Sequence, residues 1–167
     1  MVMPIIADAS ALAAPRLREA YAYWSGKLAG RPMPRRRDID PVEIPALLPY
    51  VVLIDVLSDP LDFRYRLIGA EVRNISKANY TGKRFSELPD KARGGVIWDS
   101  CEQTVLAARP FSQSPSYIGP ERSVRGCENL LLPLSEDGVR VSMILKVISF
   151  ELRRDAMDAW LKPRNQS

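Results

Sequence analysis

Histidine is missing from this 167-residue sequence, which removes the commonest general base and the main imidazole ligand for zinc, copper and haem iron. Thiol chemistry is thin as well. Cys101 and Cys127 are the two cysteines, too few and too far apart for a disulfide framework or a zinc site. They are expected to pack as small hydrophobes in a reducing cytoplasm. Carboxylates and lysines can act alone, but there is no paired-acid motif, Gly-x-Ser-x-Gly elbow or glycine-rich phosphate loop. Gly94-Gly95 is not followed by Lys-Ser or Lys-Thr. The expectation is a non-catalytic protein with no catalytic residues, no metal ligands and no cofactor.

Arginine and amide groups remain. The net charge of +4 comes from an arginine excess, and arginine forks bind phosphates and carboxylates. Apart from Arg35-Arg36-Arg37 the basic residues are scattered among acids, which argues against the clustered face of a nucleic-acid binder. Those three arginines are expected to be solvated and to pair with Asp38, Asp40 or Glu43, with a phosphate or nucleic-acid site as the rival reading. Arg66 either crosses the sheet to a carboxylate such as Asp55 or Glu128, or orients an acidic ligand. Asn129, an amide beside Leu130-Leu131-Leu132, either faces solvent or needs a buried partner.

Elements of ordinary type must position these groups. Length and composition fit one soluble domain with an N-terminal extension, and no apolar run approaches the roughly 18 residues of a membrane span. The N-terminal stretch lacks a basic region ahead of its apolar part, so a cleaved leader is not expected. From Pro15, the residues Leu17, Tyr21, Trp24 and Leu28 form the stripe of an amphipathic helix that Gly30 stops. That stripe either covers a sheet or pairs with a second copy of the chain. Five prolines between Gly30 and Pro49 make the next segment a connector, with Asp40 and Pro41 opening a short helix. Tyr50 to Leu57 is a β-branched run with only Asp55 charged, predicted to be a strand covered on both faces.

A turn at 58–61 leads to an antiparallel strand from Asp62 to Ile68, in which Phe63, Tyr65 and Leu67 share one dry face. Val72 and Ile75 suggest a short helix before Thr81-Gly82 breaks the pattern. The longest internal helix is predicted to start near Gly95 and stop before Pro110, with Ile97, Cys101, Val105 and Ala108 on its buried face. Three strands follow: Phe111 to Ile118, Ser123 to Leu134, and Val139 to Leu152, the last two joined at Ser135-Glu136-Asp137-Gly138. Met157, Trp160 and Leu161 recur at helical spacing in the tail. The expected division is an N-terminal helical extension over 1–34, a domain over 35–152 and a tail over 153–167.

The stretches RRRDIDPVEIPALLPYVVLIDV, FRYRLIGAEV, YTGKRFSEL and ENLLLPLSEDG, in this order, resemble a PAS domain, and more closely the single-domain PAS-like family of alphaproteobacteria. The resemblance spans roughly 35 to 150. It implies an α+β fold, a five-stranded antiparallel sheet with helices inserted between strands 2 and 3. It also implies a sensor or interaction module, without naming a ligand. The flavin photosensors of that family carry Asn-Cys-Arg-Phe after the second strand, where this chain reads EVRNISKANY, without cysteine. Histidine, the usual haem ligand of PAS sensors, is absent too.

Such a fold leaves room between sheet and helices for a mostly apolar cavity with a few placed polar groups. Tyr65, Ile75, Tyr80, Phe85, Trp98, Cys101, Tyr117, Asn129 and Met143 are the candidates to line it, each with core packing as the competing role. The expected function is therefore a cytoplasmic sensor or protein-interaction module in signalling that acts on a separate protein partner. A small-molecule binding protein, with a small apolar ligand whose occupancy is the signal, is the alternative. A homodimer through Leu17, Tyr21, Trp24 and Leu28 is expected, with no membrane partner.

Overall fold

The computed structural model describes residues 8–153. The expected tail helix around Met157, Trp160 and Leu161 lies outside the described residues. The β-branched run forms β1 (Val51–Leu57), and a turn returns the chain as β2 (Asp62–Ile68) in the expected antiparallel hairpin. Two helices follow, α2 (Ala70–Ser76) and α3 (Val96–Ala107), then β3 (Phe111–Gln113), β4 (Val124–Leu134) and β5 (Met143–Leu152). The five strands make one antiparallel sheet in the order β2-β1-β5-β4-β3. The architecture is the expected α+β one, with helices inserted between strands 2 and 3.

Strand parity sorts the side chains onto two faces. Val52, Lys146, Leu131 and Phe111 lie in one cross-strand row, and Tyr65, Ile54, Ile144 and Pro133 in the next. This inner face is roofed by α3, whose Trp98 ring meets Phe63 at 5.0 Å between centroids. The opposite, outer face carries Leu53, Leu145 and Leu132, then Val51, Val147 and Leu130. Helix α1 (Pro15–Gly26) packs across it against β4 and β5. With cover on both sides, the first five residues of β1 are all buried, as a continuous apolar run predicts.

Helix α1 lies on this outer face because Leu17 is fully buried there and Trp24 donates its indole N–H to the carbonyl of Pro133 at 2.9 Å. The stripe thus covers the chain's own sheet at Leu17 and Trp24, while Tyr21 and Leu28 stay partly exposed. The helix ends at Gly26 rather than running to Gly30. Ala29 and Gly30 instead turn the chain, with φ of 49° and 78°. Its start has no side-chain cap of its own. The Glu128 carboxylate, from β4, accepts the N–H groups of Ala13 and Ala14 at 3.0 and 2.8 Å.

Three strand details differ from the sequence reading. In β2 the register slips by one residue between Leu53 and Ile54 of the partner strand. Arg66 is the extra residue, so Leu67 turns outward at 46% exposure and Ile68 is buried instead. β3 spans only three residues. The strand expected from Val139 begins at Met143, because Asp137 accepts the N–H groups of both Val139 and Arg140 at 2.8 Å and holds the loop. The buried side of α3 is also turned. Ser100 and Thr104 face inward with Trp98 and Cys101, since their hydroxyls bond back to the carbonyls of Ile97 and Ser100 at 2.9 and 2.8 Å.

Gly69 joins β2 to α2 where the chain passes closest to the turn ahead of β1. A Cβ there would lie 2.4 Å from the carbonyl oxygen of Pro49 and 2.5 Å from that of Leu48. Gly69→Ala is expected to cost about 1–3 kcal/mol, because neither backbone carbonyl can swing away as a side chain would. Urea unfolding of the variant beside the parent measures it, and an unchanged midpoint would show that this junction yields.

Candidate functional site

The inner face begins with an aromatic cluster placed by β2. Phe63 and Tyr65 alternate inward, and Asp62 fixes the turn beyond them by accepting the hydroxyl and N–H of Ser86 at 2.6 and 3.3 Å. That turn presents Phe85, fully buried, whose ring lies 4.6 Å from Tyr65 and 5.4 Å from Phe63. Tyr80 stacks on Tyr65 at 6.1 Å, and Lys91, paired with Asp90, approaches the Tyr80 ring at 5.8 Å. Burial pushes the Tyr65 hydroxyl above its ordinary range and the Cys101 thiol up to about 12. Cys101 is accordingly an inert packed thiol, as expected of a small hydrophobe.

Beside these rings the inner face carries polar groups, and several lack partners. Lys146 sits in the middle of β5 at 6% exposure, and no carboxylate or other acceptor among the described residues pairs with it. Burial lowers its ammonium from the ordinary lysine value, with Cys101, Cys127 and Lys91 the charged or titratable groups within electrostatic reach. Gln113 and Trp98 are 7% and 3% exposed, and among the described residues the Gln113 amide nitrogen and the Trp98 indole nitrogen have no hydrogen-bond partner. Asn129, also buried, reaches only the Cys127 sulfur, at 4.0 Å.

Of the predicted lining residues, Tyr65, Phe85, Trp98, Cys101 and Asn129 are buried on this face, with Tyr80 at its rim. Tyr117 and Ile75 meet at the end of α2, where the Tyr117 hydroxyl donates to the Ile75 carbonyl at 3.3 Å. Met143 does not line this face. Its register places it opposite Asp55 and Leu134, on the outer side, because it lies three positions from Lys146 along β5 and an odd offset puts two side chains on opposite faces. Lys146 and Gln113 were not anticipated. A lone lysine inside the apolar run MILKVISF is the signal that points to the first.

A second polar constellation lies on the outer side. Asp55, 6% exposed, accepts from Arg64 Nε and Nη2 at 3.0 and 2.8 Å and from Arg66 Nε at 2.7 Å. Arg66 is thus the structural arginine expected to reach Asp55. With Arg36, Glu136 and Met143 these residues border an open groove of about 580 Å³. Asp38 accepts from the Arg31 side chain and the Arg35 N–H, both at 2.7 Å, and Glu136 takes the Arg36 N–H at 3.2 Å. The expected pairing of the Arg35, Arg36 and Arg37 side chains with Asp38, Asp40 or Glu43 does not form among the described residues: Asp38 pairs with Arg31 and Glu43 with Lys27, and Arg36 Nη1 donates to the Ile39 carbonyl at 3.0 Å.

The profile of the PAS domain family matches residues 12–148, most of the chain and all five strands but the end of β5. The chain belongs to the PAS domain family. A search among curated proteins returns no match. The match starts well ahead of residue 35, so α1 and its contact with β4 lie within the matched PAS segment. As a PAS domain the protein is a sensor or interaction module in general terms, and among the described residues no helix is long and apolar enough to cross a membrane.

Proposed function

We propose that this PAS domain is a non-catalytic cytoplasmic sensor whose signal is the occupancy, by a small molecule, of the space between the inner face of the sheet and α3. One observation carries the reading: the Gln113 amide nitrogen and the Trp98 indole nitrogen are buried without a partner among the described residues, and Lys146, 6% exposed, shares their face with aromatic and aliphatic side chains. Buried polar groups are paired in folded proteins, and the exceptions ask for an explanation. Sites for small molecules join mostly apolar walls to a few convergent polar groups. Occupancy would be read out by contact with a separate protein or with a second copy of the chain.

Native mass spectrometry of protein purified without additives, compared with the same sample denatured, tests the reading. An added mass that is lost on denaturation is expected. Equal masses, together with no change in melting temperature across a library of neutral and charged small molecules, would refute it.

A further inference from the structure

We propose that the inner face takes a monoanionic carboxylate with an apolar tail, its head paired with Lys146 and flanked by the amide donors of Gln113 and Asn129. This inference rests on the reading of the domain as a ligand-occupied sensor. It adds the chemical class of the ligand.

The geometry starts from strand register. Lys146 stands opposite Leu131 on β4, and Asn129 lies two residues along β4 on the same face. Such diagonal neighbours are about 7–8 Å apart at Cα, within reach of a lysine stem and an amide converging on one ligand head. Gln113 stands directly across from Asn129 on β3. The three side chains therefore form a triangle on one face, each less than one-tenth exposed. Trp98 of α3 meets Phe63 over this face, so the register places Lys146 on the side of the sheet that α3 covers.

The unmet demand has a single sign. The buried unpartnered atoms among the described residues are the N–H donors of Gln113 and Trp98, the Asn129 amide nitrogen has only a distant sulfur, and Lys146, 6% exposed, adds a cationic donor on the same face. A donor set needs an acceptor, and a cationic donor favours an anion. One cation with neutral amides suits a single negative charge. A phosphate dianion would need further positive charge, and the nearby Lys91 is already paired with Asp90. Beyond the polar triangle, Phe63, Tyr65, Phe85 and Trp98 offer an apolar wall for the rest of the molecule.

The test uses the full chain and measures melting temperature and binding by calorimetry. The probes are phenylacetate and hexanoate beside their neutral amides, phenylacetamide and hexanamide. At least one carboxylate is expected to raise the melting temperature while its amide does not. In Lys146→Met that carboxylate should bind about 10- to 100-fold more weakly, as loss of one charge-assisted hydrogen bond implies. Gln113→Leu, which leaves the lysine in place, should weaken it by a smaller factor. If the amides bind as well as the carboxylates, or if Lys146→Met leaves carboxylate binding unchanged, the anion assignment is wrong while the sensor reading stands. If none of the four probes binds but a molecule without an acidic group does, the assignment is equally overturned. If a wide library and the copurified sample both yield nothing, both readings fall.

Discussion

Trp24→Ala is expected to cost about 3–5 kcal/mol of folding stability, as for other fully buried aromatic side chains. Two losses combine. The ring, 4% exposed, leaves a void between α1 and the outer face, and the Pro133 carbonyl loses its 2.9 Å donor. Trp24→Phe keeps most of the packing but orphans the carbonyl, so about 1–2 kcal/mol is expected for it. Urea unfolding of both variants, with molar mass by light scattering before unfolding, checks the assignment. A stable, folded Trp24→Ala monomer from a dimeric parent would instead give this side chain the pairing role. The homodimer itself is a separate proposal, and the same light-scattering measurement on the parent chain tests it.

Much of this fold was legible because its signals are local. The run from Val51 pointed to an interior strand, since an unbroken β-branched stretch requires cover on both sides, and its first five residues are all buried. Helix α3 runs between the limits set by Gly95 and Pro110, with Ala108 leaving the helix at φ 50°. The Arg66–Asp55 pair was legible from residue type, a charged partner being the cheapest way to bury a carboxylate at 6% exposure in a strand.

What escaped the sequence depends on contacts distant in the chain. Nothing near Leu67 announces that Arg66 will bulge, yet that one residue reverses the phase of the end of β2. Glu128 completes the start of α1 from 114 residues away, a link that no local capping rule finds. Met143 and Lys146 show the harder problem. In β5, buried on both faces, apolar residues point both ways, so hydrophobicity alone does not tell which side a given residue takes. Register with β1 and β4 decides it, placing Met143 outside and Lys146 inside.

Lys146→Met is expected to raise the stability of the ligand-free protein by about 2–4 kcal/mol near neutral pH, because it replaces a buried, unpaired ammonium by an apolar side chain of similar reach. The ordinary lysine value of 10.5 sets the ceiling. Discharging the amine at pH 7 costs no more than about 5 kcal/mol, since each tenfold proton ratio is worth about 1.36 kcal/mol. Burial lowers Lys146, so the folded chain binds fewer protons than the unfolded one between its depressed value and 10.5. The contribution of this group to stability therefore rises with pH across that window, and the advantage of the methionine variant shrinks. Cys101 and Cys127, both raised by burial, act in the opposite sense as pH climbs past the ordinary thiol value of 9.0. Both proteins contain these thiols, and Lys91 as well, so the difference between their curves reports the lysine together with its coupling to Cys101 and Cys127, which its charge lowers. Urea midpoints measured from about pH 7 to about pH 10 should converge. Parallel curves would mean that Lys146 keeps its charge in the folded chain, held by a partner. A bound carboxylate should produce that behaviour at saturation, since an anion beside the ammonium favours its charged form and removes the advantage of methionine.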